Sequence, residues 1–111
     1  MRTHMLYIKS FEQFNLVYDS FKTIDAIPFD DQWCIDDGII CQYTENNLPF
    51  STNEGTIIFL KKYDTFKDYL INEGLRKTGF ISLEEGINFY KTFYKEDELK
   101  NGILCIEFKF D

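Results

Sequence analysis

Three cysteines and one histidine are the residues best suited by type to metal or thiol chemistry, and their arrangement argues against both. Cys34, Cys41 and Cys105 are an odd number with no paired short spacing, and His4 is the only histidine. A structural zinc site takes four such ligands, usually in close pairs. The three thiols therefore read as small hydrophobes in or beside strands, reduced in a cytoplasmic protein, and no cofactor is implied. A second cluster places Asp30, Asp31, Asp36 and Asp37 around Trp33. It reads either as a solvated loop whose ring folds onto the core or as a binding site, and the loop is the simpler reading.

The hydrophobic pattern outlines the elements that must hold these groups. Residues His4–Lys9 and Lys22–Ile27 predict strands, the second stopped by Pro28, which lacks a backbone donor. Between them Phe11, Phe14, Val17, Tyr18 and Phe21 recur at helical spacing behind Ser10, with Gln13 three residues on completing a capping box. Gly38–Tyr43 and Gly55–Lys62 predict further strands, the latter apolar on both faces and so central, while Thr44–Glu54 reads as a surface loop. A helix capped by Asp64 or Thr65 ends at Gly74, and Ser82 with Glu85 opens another carrying Leu83, Ile87, Tyr90 and Tyr94. Gly86 inside that helix points to a close neighbour. Gly102–Phe110 alternates, with Leu104, Ile106, Phe108 and Phe110 on one face, and predicts a half-buried strand.

The order strand, helix, three strands, two helices, strand is not an alternating α/β pattern. It predicts an α+β fold: one domain over residues 1–111, a small mixed and strongly curved β-sheet or β-barrel, and about three helices. The expected core comprises Leu6, Ile8, Phe14, Ile24, Ile40, Ile58, Leu70, Ile87, Tyr90, Leu104 and Ile106.

Composition narrows the function classes. The net charge is −7, and residues 1–60 hold three basic and nine acidic side chains, giving −6. Duplex binding draws on positive charge, so broad DNA binding is disfavoured. No apolar run of about 18 residues is present, so no spanning helix and no membrane role is expected. The acidic half fits a basic protein partner.

The sequence KYDTFKDYL, then EGL, SLEEGINFYKTFY and GILCIEF resembles the ending of the ASCH family, a branch of the PUA-like superfamily of small β-barrels. The likeness is strongest over residues 55–111 and weaker over 4–43, where HMLYIKSFEQFNLVYDSFKTID stands for the family's strand, helix and GxKTxE signature. The resemblance implies binding of a nucleoside, nucleotide or single-stranded RNA in a cleft near Lys22. Some ASCH proteins are amidohydrolases that deacetylate N4-acetylcytidine with a Lys, a Thr three residues later and a Glu. On that pattern Lys22 matches the Lys, Asp25 replaces the Thr, and Glu73, Glu84 or Glu85 supplies the acid. Thr23, Trp33, Tyr43 and Tyr63 are the expected ligand contacts. Phe21 stands where the family has Gly, and Ile27 and Pro28 stand where an Arg is common. The alternative is an acidic interaction, inhibitor or immunity protein without catalysis. Lys22 itself reads equally as a site lysine or as a strand-end lysine in solvent.

Overall fold

Strand β6 (Ile103–Lys109) organises the computed structural model, which describes residues 1–110. It lies between β5 (Gly55–Tyr63) and β2 (Ile24–Pro28) and runs antiparallel to both. The sheet continues through β3 (Gly38–Glu45) to β1 (Thr3–Tyr7), in the order β1-β3-β5-β6-β2, and β1 with β3 is the parallel pair that makes it mixed. A short β4 (Leu48–Ser51) pairs with the far end of β3. The fold is thus α+β with a six-stranded mixed sheet. The sheet does not close into a barrel, because β1 and β2 make no ladder to each other among the described residues. Instead Leu6 and Tyr7 of β1 face Ile27 and Pro28 of β2 across a cavity of about 180 Å³.

Helix α1 (Phe11–Tyr18) follows β1. Ser10 caps it by accepting from the Gln13 backbone N–H, while the Gln13 side chain donates instead to the Gly79 carbonyl, so the reciprocal half of the expected box is absent. After β5 come α2 (Phe66–Glu73), the single turn α3 (Leu75–Thr78), α4 (Leu83–Phe93) and a 3-10 turn at Glu96–Leu99. Thr65 is the α2 cap and Gly74, at φ 89°, ends it in a conformation that side chains rarely adopt. Among the described residues no helix is long and apolar enough to cross a membrane.

Two apolar clusters sit on opposite faces of the sheet. The first joins Leu6, Phe14, Val17, Ile39, Ile57, Leu104, Ile106 and Phe108. The second joins Ile24, Ala26, Phe66, Tyr69, Leu70, Phe80, Tyr90, Ile103 and Cys105 under α2–α4. Strand β6 feeds both, so it is buried on two faces rather than half-buried, with Ile103 and Cys105 fully sequestered.

Further expectations are corrected. Ile58 is exposed because the β5–β6 register skips it between Ile57 and Phe59, a bulge that leaves one residue unpaired. Ile40 and Ile87 are only half-buried. On α1, Phe14 and Val17 are buried but Phe11 and Tyr18 are exposed, as is Phe21 beyond the helix end. Residues 44–54 hold a hairpin rather than a loop: Asn46 and Asn47 both take positive φ, the geometry of a two-residue hairpin turn. Near Gly86 the expected neighbour is found, since an added Cβ would stand 2.8 Å from Leu70 Cδ1.

Candidate functional site

The chain leaves α1 through Ser20, at φ 63°, and Lys22 and Thr23 then lead into β2. Their backbones are fixed at this corner: the Lys22 N–H donates to the Leu16 carbonyl and the Thr23 N–H to the Lys77 carbonyl. The Lys22 side chain turns inward and is 1% exposed. Its ammonium donates to the Thr78 carbonyl at the end of α3 and lies 3.5 Å from Asp25 Oδ1. The Phe80 ring covers it, 5.3 Å from the ring centre.

Asp25 is buried too, and Tyr90 donates to its Oδ1 at 2.6 Å. Tyr69 follows, with its hydroxyl 3.4 Å from that of Tyr90. The register pairs Asp25 with Ile106, which places it on the face of the first cluster, while Tyr90 belongs to the second. Their hydrogen bond therefore passes the free edge of β2 and ties the two clusters together. Burial pulls the Lys22 ammonium below the ordinary 10.5, opposed by the charge of Asp25. Burial, followed by the Asp25 charge, pushes both phenols up, so Tyr90 stays a donor. Cys41 and Cys105 are free buried thiols whose ionisation is also pushed up by burial.

Two concavities adjoin this network and meet at Ser20 and Thr23. One, of about 240 Å³, is lined by Lys22, Lys109, Phe108 and Phe110. The other, of about 270 Å³, is lined by Phe21, Arg76 and Lys77. Four basic side chains and two hydroxyls thus border the pair, and no carboxylate of the described residues lines either half. Glu107 stands behind, 3.8 Å from Lys77. Phe21 is 68% exposed and offers a free ring at the margin.

The remaining expected site residues lie apart. Trp33 stacks on His4 with centroids 4.3 Å apart, and His4 in turn contacts Asp37 at 2.7 Å. That hydrogen bond, foremost, holds the Asp37 carboxyl below the ordinary 3.8. Tyr43 packs near Phe11. Tyr63 donates to Glu73, so both are committed to each other. Glu84 and Glu85 are exposed in the first turn of α4. Of the expected set, Lys22, Asp25 and Thr23 come together, and Tyr63 meets Glu73 at a separate place. Sequence reasoning missed Tyr69, Tyr90, Arg76, Lys77 and Lys109. Tyr69 and Tyr90 lie on apolar helical stripes, and a buried phenol requires a partner, the one signal that pointed to them.

Two solved structures share this fold. The crystal structure of the hypothetical protein PH0355 is 26% identical, covers 98% of this chain and 98% of its own, and superposes with a TM-score of 0.78. The solution structure of protein PF0455 from Pyrococcus furiosus is likewise 26% identical, covers 96% of each chain and gives a TM-score of 0.66. No family model matches the sequence, and no curated protein does. A larger concavity, of about 880 Å³, lies elsewhere, with Phe66, Ile87, Tyr94 and Leu99 in its lining. Among the described residues no group of three or more His, Cys, Asp or Glu side chains could hold a metal ion.

Proposed function

We propose that this chain is an ASCH-like domain that binds a nucleotide or single-stranded RNA in the cleft beside Lys22, without hydrolysing it. The observation that carries this reading is the cleft lining: Arg76, Lys77 and Lys109 stand with Ser20 and Thr23 beside the buried Lys22, and no carboxylate of the described residues lines either half, in a chain of net charge −7. Cations gathered against the overall charge suit a phosphate, hydroxyls supply further donors, and the exposed Phe21 ring suits a base. Each half is small, about 240 and 270 Å³, which fits a base or a phosphate rather than a drug-sized ligand.

The absence of catalysis follows from the Lys22–Asp25 pair. A general base must hold a free lone pair within reach of substrate. Here burial pulls the Lys22 ammonium below its ordinary value and the charge of Asp25 opposes that, while the group donates to the Thr78 carbonyl and lies 3.5 Å from Asp25, so its lone pair is not free for substrate. No Thr hydroxyl occupies the position of Asp25.

The test is a nuclear magnetic resonance titration with cytidine, cytidine monophosphate and a short single-stranded RNA. The phosphorylated ligands should bind more tightly, shift Ser20–Thr23 and Arg76–Lys77, and weaken with salt. The charge reversal Arg76→Glu with Lys77→Glu should weaken them about tenfold or more. Equal binding of cytidine and its phosphate, or binding indifferent to that reversal, would overturn the assignment. Turnover of N4-acetylcytidine that disappears in Lys22→Ala would overturn the non-catalytic part alone.

A further inference from the structure

Five aromatic rings form a continuous chain across α1 and the β3–β4 hairpin. Phe11 lies 5.9 Å from Tyr43 and 5.8 Å from Phe50, and Phe14 lies 6.4 Å from Phe50 and 6.2 Å from Tyr18, between ring centres. Phe14 is buried beneath, but Tyr18 is 65% exposed, Phe11 44% and Phe50 40%, with Leu48 beside them at 64%. The hairpin register pairs Tyr43 with Phe50 and Glu45 with Leu48, so these four side chains share one face. Contiguous large apolar groups left in water mark an interaction surface.

Its margin is negative. Glu45 stands on the hairpin, Glu12 in the first turn of α1 beside Phe11 and Asp19 at its C-cap beside Tyr18, all three exposed. The basic residues of positions 1–60 are engaged elsewhere. Arg2 donates to Gln32, Lys9 lies over the Tyr94 ring, and Lys22 is buried.

We propose that this aromatic face docks a basic protein segment whose arginines lie on the exposed rings and reach Glu12, Asp19 or Glu45. Arg is favoured over Lys because its planar guanidinium both stacks on a ring and forks to a carboxylate. A second copy of the chain fits poorly, since a two-fold contact through this face sets three carboxylates against three. RNA phosphates are repelled by the same charges. The two surfaces adjoin at Tyr18–Ser20, but Phe11, Leu48 and Phe50 line neither half of the cleft, so failure here leaves the nucleotide reading untouched.

The experiment is selection of displayed random dodecapeptides on the wild-type protein, with counter-selection on Glu12→Lys/Asp19→Lys/Glu45→Lys. Enriched peptides should carry net positive charge with Arg outnumbering Lys, and should bind Tyr18→Ser/Leu48→Ser about tenfold more weakly or worse. These positions are exposed, and circular dichroism checks that both variants keep the fold. Amide shifts on titration should centre on Phe11, Tyr18 and Phe50. Neutral or acidic winners, no enrichment over the charge-reversed variant, or shifts confined to another surface would overturn the proposal. So would a concentration-dependent dimer whose contacts map to these rings, or shifts at Phe11 and Phe50, which line neither half of the cleft, on adding single-stranded RNA.

Discussion

Removing the Asp25 carboxylate leaves the Lys22 ammonium buried against the Thr78 carbonyl with no counter-charge. Such a stranded charge costs about 3 to 5 kcal/mol, whereas replacing both partners by apolar groups of similar size is often neutral or better. Urea denaturation should therefore find Asp25→Ala strongly destabilised and Lys22→Met/Asp25→Leu clearly less so, its remaining loss coming from the Thr78 carbonyl and the Tyr90 hydroxyl left without these partners. An Asp25→Ala loss below about 1 kcal/mol would mean that the pair is hydrated in solution. The KTID spacing made Lys22 and Asp25 visible as a pair, but the sequence left burial and solvent equally open for the lysine. What buries it comes from far along the chain: the Thr78 carbonyl is 56 residues from Lys22, and the Tyr90 hydroxyl is 65 from Asp25. Trp33 and Tyr43 were singled out as rings that could stack on a ligand, and each instead spends a face on a neighbour, His4 and Phe11.

At the scale of elements, the β5 bulge and the two buried faces of β6 give isoleucines of unlike weight. Ile106 is wholly buried and Ile58 is 45% exposed. Ile106→Ala should cost about 2 to 5 kcal/mol and Ile58→Ala under about 1 kcal/mol by the same denaturation assay. Equal losses would place the bulge elsewhere. The existence and order of β1, α1, β3, β5, α2 and α4 were legible from periodicity and, for the helices, from their caps, but α1 ends at Tyr18 rather than reaching Phe21 and β1 ends at Tyr7 rather than Lys9. The β3–β4 hairpin was not, because Asn46-Asn47 lacks the glycine that usually marks such a turn while Pro49 suggests a loop. The second face of β6 was hidden for a different reason. Alternation shows that Leu104 and Ile106 point together, but whether helices cover the other side depends on α2 and α4, which periodicity alone does not dock.

For the whole molecule, the buried acids set an alkaline limit. Cys41 and Cys105, ordinarily near 9.0, and Tyr69 and Tyr90, ordinarily near 10.0, are all pushed up by burial. A group raised on folding stabilises the fold below its unfolded value, and that contribution is lost as pH climbs through the folded value. Lys22 is lowered and acts oppositely, gaining as pH rises toward 10.5, but it is one group against four. Stability should fall above about pH 9 to 10, and the Tyr69 and Tyr90 phenolates should appear in the absorbance spectrum only together with loss of the fold. Their titration in a chain with intact circular dichroism would contradict the burial described. Strand β6 has a consequence of another kind, for the order in which the chain is made. Both clusters need it, and β2, completed by Pro28, has no other partner in the sheet among the described residues. During synthesis β2 must wait, unpaired, while β3, β4, β5, three α-helices and a 3-10 turn emerge, and neither core closes until residues 103–109 leave the ribosome. The growing chain is therefore exposed to chaperones and proteases for most of its translation.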